Sequence, residues 1–208
     1  MMLVIGNRNY SSWSLRPWIA LKVFGFDFDE KRISLYGEAS KAAILAHSPA
    51  GRVPILVDGK TTVWDSLAIL EYVAEKNPKL WPASPAERAQ ARSLSAEMHS
   101  GFPSLREHMS MNVRKRYPGK GRTPEVLAEI ERIKAIWNEA KKPFLFGAFT
   151  AVDAMYAPVV LRFRTYEVEL PRAARSYYDA MLALPAMQEW IAAAERETES
   201  LPQFDMYE

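Results

Sequence analysis

Three short segments carry side chains with usable chemistry, and two of them sit where helices begin. Asn9-Tyr10-Ser11-Ser12-Trp13-Ser14-Leu15-Arg16 follows a short apolar run, residues 3–6, and leads into a helical pattern. Exposed amide donors and the polarity of a helix start stabilise an anion. A serine hydroxyl donating to a thiolate favours the charged form and lowers the thiol pKa. Without a ligand, the same residues make an ordinary serine-rich cap and turn. Val53-Pro54 opens a second apolar run. X-Pro bonds are mostly trans in folded proteins, whereas a cis bond here would turn the backbone polar groups of Val53 toward a ligand. Asp65-Ser66 precedes another helical pattern. Ser66 and its amide suit a carboxylate and Asp65 suits an ammonium, or the pair simply caps the helix.

The elements that must position these residues follow from periodicity and punctuation. After the strand at residues 3–6, the spacing predicts a helix over Leu15–Phe24, with Ser14 as its cap and Pro17 tolerated in the first turn. A strand over Lys31–Leu35 completes a βαβ unit with parallel strands. A weaker helix is expected over Ala39–Ala46. Val53–Val57 and Lys60–Trp64 then read as a hairpin around Asp58-Gly59, expected as a type I′ turn. A helix over Leu67–Lys76 closes an α/β unit spanning residues 1–80.

Asn77-Pro78 and Trp81-Pro82 mark a linker, and no strand pattern follows. The remaining residues, 81–208, are expected to form an all-helical domain. Its first helix is predicted from Ser84 to about Val113, with a bend near Gly101–Pro103. Others are expected over Pro124–Lys141, Ala151–Tyr166, Arg172–Leu182 and Pro185–Glu197. Thr150 to Asp153 resembles a capping box with Asp in place of the usual Glu.

Composition narrows the functional classes. The 208 residues are 49% apolar and 25% charged, a globular mixture. The 27 Lys and Arg nearly balance 25 Asp and Glu, so the basic stripe of a nucleic-acid binder is not expected. Arg114 to Arg122 is a local basic run, read as a solvated helix end. The chain has no cysteine, which excludes disulfides and thiolate metal sites and requires any thiol to arrive with a ligand. No apolar run reaches the roughly 18 residues of a membrane span, and no membrane partner is expected. The expected location is the cytoplasm. His47, His99 and His108 lack metal-site spacing, so no metal is expected. Trp64, Trp81, Trp137 and Trp190 are expected in a core or interface.

Taken in order, Ser11-Ser12-Trp13-Ser14-Leu15-Arg16, Gly51-Arg52-Val53-Pro54-Ile55-Leu56, Asp65-Ser66-Leu67-Ala68-Ile69-Leu70-Glu71-Tyr72 and Phe149-Thr150-Ala151-Val152-Asp153-Ala154 resemble the glutathione transferase family. The resemblance implies an α/β thioredoxin-like N-terminal domain that binds glutathione, followed by an all-α C-terminal domain that completes the electrophile site. It implies Ser11 as the catalytic, thiolate-stabilising residue. Glutathione would be held as cosubstrate by Ser11, Ser12, Arg52, Val53 beside cis-Pro54, Asp65 and Ser66. The first motif is most similar to the serine-using zeta-type branch, which has Ser-Ser-Cys-Ser where this chain has Ser11-Ser12-Trp13-Ser14. Trp13 replaces the cysteine associated with that branch's isomerase activity, so the isomerase assignment does not carry over.

The expected electrophile pocket lies between the Ser11 turn and the first helix of the second domain. Helical spacing suggests Met109, Met111, Asn112 and Arg116 as one wall, with Tyr10 and Trp13 opposite. The family implies a homodimer and conjugation to, or reduction of, a small electrophile. A noncatalytic glutathione-binding or protein-interaction module on the same fold is the alternative.

Overall fold

A computed structural model describes residues 1–207. The N-terminal part runs β1 (Met2–Ile5), α1 (Ser12–Val23), β2 (Asp29–Arg32), α2 (Ser40–Leu45), β3 (Ile55–Asp58), β4 (Thr61–Trp64) and α3 (Ser66–Lys76). The sheet order is β2-β1-β3-β4, with β1 parallel to β2 and antiparallel to β3, and β3 antiparallel to β4. The helical crossover enforces the parallel pair, and the hairpin supplies the antiparallel one. Strand alternation divides β1 between two faces. Leu3 and Ile5 enter the large core with α1 and α3, while Val4 joins Ile33, Ile44 and Ile55 beneath α2. This is the thioredoxin-like α/β arrangement.

Local boundaries differ from the sequence expectations in instructive ways. Helix α1 begins at Ser12 rather than Leu15, which makes Ser11 the N-cap and puts Ser14 inside the helix. Pro17 therefore lies in the helix interior, where the carbonyl of Trp13 loses its usual donor. Strand β2 pairs through the charged run Asp29–Arg32, and only the Ile33 amide extends the pairing, reaching the Ile5 carbonyl at 2.8 Å. In the hairpin, Asp58 pairs with Thr61, so the loop residues are Gly59 and Lys60. Only Gly59 has a positive φ, +59°, whereas a type I′ turn needs it at both loop positions.

Beyond a 3-10 turn at Pro78–Leu80, the chain is helical: α4 (Pro85–Ser100), α5 (Pro103–His108), α6 (Pro124–Asn138), α7 (Ala151–Tyr166), α8 (Arg172–Ala183) and α9 (Pro185–Glu195). The long helix expected from Ser84 to Val113 is broken. Gly101 is extended, Phe102 is left-handed at φ +59°, and Pro103 starts α5 afresh. A Cβ on Gly101 would stand 2.7 Å from the Glu97 carbonyl oxygen, so this abrupt turn demands glycine. Residues 109–123 are not helical.

Helix α7 is the central post, with all but one of its residues buried, and it packs against both α1 and α4. Its start is the capping box read from the sequence: Asp153 accepts the Thr150 amide at 2.8 Å and the Leu145 amide at 3.1 Å. Burial pushes the Asp153 carboxyl up to about 6 against the pull of these donors. Trp81, Trp137 and Trp190 are buried, whereas Trp64, on edge strand β4, is 45% exposed. Among the described residues, no helix is long and apolar enough to cross a membrane, and no group of three His, Asp or Glu could hold a metal ion.

Candidate functional site

The turn into α1 is built by its own backbone. The Ser11 amide donates to the Asn7 carbonyl at 2.8 Å and the Ser12 amide to the Tyr10 carbonyl at 3.0 Å. These two amides are thereby engaged, and the hydroxyls are what the turn offers to a ligand. Ser11 Oγ lies 2.7 Å from Ser14 Oγ, which also accepts the Gly6 amide at 3.1 Å. Ser12 Oγ accepts Nη2 of Arg162 at 3.4 Å, joining α1 to α7.

Two adjoining cavities open at this turn. The larger, about 620 Å³, lies between the α1 entry, the α2 region and the helical part, and it is lined by Ser11 and Ser12 together with Tyr10, Arg106, Met111 and Arg162. The smaller, about 520 Å³, is lined by Pro54, Asp65, Ser66, Trp64 and His99. Trp13, Arg52 and Val53 border both, so the three segments singled out in the sequence face one continuous cleft. The Val53-Pro54 bond is cis.

At the far end of the smaller cavity, Asp65 caps α3 through Oδ1, which accepts the Leu67 amide at 2.9 Å and the Ala68 amide at 3.2 Å. Its φ of +76° is rare outside glycine and turns the chain sharply from β4 into α3. Oδ2 remains on the cavity side, 3.2 Å from Nε2 of His99. Ser66 is fully buried and its Oγ accepts Nη1 of Arg16 at 3.4 Å.

Two guanidinium groups lie over Trp13, and a third is close by. Arg16 and Arg106 lie 4.3 and 5.0 Å from its ring centre, and Arg162 sits behind Ser12. Burial, followed by repulsion from Arg106 and Arg162, holds Arg16 well below the ordinary arginine range. Burial, with repulsion from Arg106, pushes Arg162 down to about 9, which still leaves it charged at neutral pH.

Of the residues suggested from the sequence, Tyr10, Ser11, Ser12 and Met111 line the larger cavity; Trp13, Arg52 and Val53 line both; Pro54, Asp65 and Ser66 line the smaller. Met109, Asn112 and Arg116 line neither. Met109 is fully buried in the core. Asn112 is locked in a buried network, accepting from Asn9 at 3.0 Å and donating to Asp205 at 2.7 Å. Arg116 donates to the carbonyls of Val113 and Lys115. Helical spacing could not group these residues because they follow the end of α5. Arg106, Arg162, Tyr36, Phe204 and His99 enter the cleft without having been anticipated. Only Arg162 left a signal in the sequence, a charge inside the apolar run Val159-Val160-Leu161-Arg162-Phe163.

Comparison with known proteins agrees with this architecture. The model of the glutathione S-transferase N-terminal domain matches residues 10–76, and that of the glutathione S-transferase C-terminal domain matches residues 119–193. A probable maleylacetoacetate isomerase of Caenorhabditis elegans is 36% identical over 100 residues, covering 47% of this chain and 46% of that protein. The match thus spans about half the length of that relative. The maleylacetoacetate isomerase of Rattus norvegicus is 28% identical over 193 residues, covering 87% of each chain. Among solved structures, the holo form of maleyl pyruvate isomerase, described as a bacterial glutathione S-transferase in zeta class, aligns with a TM-score of 0.72 at 22% identity, over 96% of this chain and 100% of that one. At that identity the likeness speaks for the fold. Two domain models of one family match in their natural order over about two thirds of the residues, on the fold that family requires, and the chain belongs to the glutathione S-transferase family.

Proposed function

We propose that the protein is a glutathione-dependent transferase in which the Ser11 hydroxyl stabilises the glutathione thiolate for attack on a small electrophile. One observation carries this reading: a hydrogen-bond chain that ends on Ser11 in the wall of the larger cavity. Ser14 is fully buried, and its hydroxyl shares one hydrogen bond with that of Ser11. With the Gly6 amide donating to Ser14, either hydroxyl of the Ser11–Ser14 pair can donate to the other, and this reading takes Ser14 as the donor, which frees the Ser11 proton for the cleft. Each bond in such a chain polarises the next. Serine is far too weak an acid to act as the base, but its O–H favours the charged form of the sulfur. A free thiol has a pKa of about 8.5, so a fall of about one unit multiplies the reactive fraction several-fold near neutral pH.

The smaller cavity suits the rest of the tripeptide. In this reading Asp65 takes its ammonium, Ser66 at the start of α3 its γ-glutamyl carboxylate, and the backbone of Val53 its cysteinyl amide, all three residues lining that cavity. Arg52 stands beside both cavities. In conjugation, the sulfur bonds to the electrophilic carbon as the leaving group departs with the electron pair of the broken bond. Orientation in a partly closed cleft supplies the remaining rate advantage. In this reading the active form is a homodimer, which solution mass at dilute concentration checks.

The test is calorimetry with glutathione, followed by pH-dependent thiolate absorbance and turnover for wild type and Ser11→Ala. Binding with a raised thiol pKa in the variant is expected. An unchanged pKa removes Ser11 from the role, and the absence of turnover across a broad electrophile panel argues against transferase activity.

A further inference from the structure

We propose that Arg106 and Arg162 form a carboxylate seat in the larger cavity, so that the electrophile taken by this transferase is a carboxylic acid with an apolar body. The inference rests on the glutathione-dependent reading and specifies its second substrate. The charged residues lining the larger cavity are Lys41, Arg52, Arg106 and Arg162, and none of its lining residues is acidic. The rest of the wall includes Tyr10, Ile44, Met111 and Phe204, which suits an apolar body attached to the anion.

Arg162 is 6% exposed, and its partners are neutral acceptors, the Met109 carbonyl and Ser12 Oγ. Arg106 donates through Nε to the Gly101 carbonyl at 3.0 Å and through Nη2 to the Met98 carbonyl, and Nη1 has no hydrogen bond among the described residues. The nearby acids are occupied elsewhere. Glu129 spends both oxygens on the Ser104 and Leu105 amides at the start of α5. Asp205 is held by Tyr10, Asn112 and Ser200. Glu129 still attracts Arg106, but no carboxylate acts on Arg162, which is unfavourable for a buried cation, and a third guanidinium, Arg16, adds repulsion. An incoming carboxylate relieves both, and the planar guanidinium matches it geometrically. The depression of Arg162 to about 9 has the same origin in burial and repulsion. Arg106 and Arg162 border only the larger cavity, whereas Arg52 also borders the smaller one, beside the expected tripeptide.

The probes are chloronitrobenzoate, its methyl ester, and the glutathione S-conjugates of each. Calorimetry on wild type should show the acid conjugate binding at least tenfold more tightly than the ester conjugate. Arg106→Met should erode that preference while leaving the affinity for glutathione itself unchanged, and Arg162→Met, which also removes the bond to Ser12, should erode it too. Arg106 is the safer variant should Arg162→Met fail to fold, because its side chain is less deeply buried. Equal affinity for acid and ester in wild type overturns the proposal. So does a preference that survives Arg106→Met, or a variant that loses glutathione affinity with the preference intact, which would assign the arginines to the tripeptide's own carboxylate. If wild type binds chloronitrobenzoate over its ester but does not bind glutathione, the seat stands and the transferase reading falls.

Discussion

Ser14 Oγ stands 2.7 Å from Ser11 Oγ and takes its own hydrogen bond from the Gly6 amide, tying the first strand's exit to the hydroxyl in the cleft wall. Replacing Ser14 by Ala removes the hydroxyl bonded to Ser11, and with Ser14 as the donor in the proposed chain the pKa of bound glutathione thiol should rise, as in Ser11→Ala. The double substitution should raise it no further than Ser11→Ala alone, because both act on one chain of bonds. Thiolate absorbance against pH checks this. The Gly6 amide is also left unpaired, and urea unfolding should report a loss of about 1–3 kcal/mol.

Asp65 combines a cap with a positive φ, and two substitutions separate its structural and binding roles. Asp65→Ala should cost about 1 kcal/mol for the cap and somewhat more for the backbone, which alanine tolerates poorly at φ +76°. Asp65→Gly relieves the backbone and, as a cap, is only a few tenths of a kcal/mol worse. It should therefore stay near wild-type stability while losing at least tenfold in glutathione affinity. Parallel unfolding and calorimetry on both variants check the separation.

The His99 imidazole should titrate below the ordinary value of 6.5, because burial outweighs the nearby Asp65 while Arg16 and Arg106 add repulsion. Its folded pKa is depressed, so its contribution to stability is present above the unfolded value and is lost as pH falls through the folded one. NMR titration of the ring protons measures the pKa. His99→Gln should flatten the stability profile on the acid side of 6.5.

Asp153 runs the other way. Its carboxyl is raised by burial to about 6, so its contribution is fully present below the unfolded value of about 3.9 and is lost as pH rises through about 6. Compared with Asp153→Asn, wild type should gain stability as pH drops from about 7 to 5. Asp153→Ala orphans the Leu145 and Thr150 amides and should cost about 2 kcal/mol across that range. Thermal unfolding at several pH values distinguishes the two effects.

Features decided within a few residues were legible in the chain. Asp65 before α3, Thr123 before Pro124 and the Thr150–Asp153 box all cap helices through contacts two or three positions away. The α1 start was less legible because Ser11, Ser12 and Ser14 are equally good caps by type. A hydrogen bond from Gly6, eight residues earlier, engages Ser14 inside the helix. The segment after α5 shows the limit most clearly. Its methionines and arginines suit a helix, yet its backbone is drawn into distant bonds: Val113 to the Asn9 carbonyl, Arg114 to the Asn9 side chain, Tyr117 to the Thr165 carbonyl, and the Asn112 carbonyl to Thr165 Oγ1.

The caps at Asp65, Thr123 and Thr150, the βαβ crossover and the serine-rich turn are properties of neighbours along the chain, and the sequence alone determined them. The gathering of Arg106 from α5 and Arg162 from α7 around Trp13 and Ser12 was decided by the tertiary structure. Residues more than 50 positions apart meet there only because α7 packs against α1. Packing of that kind depends on the shapes of whole faces, which no local pattern records.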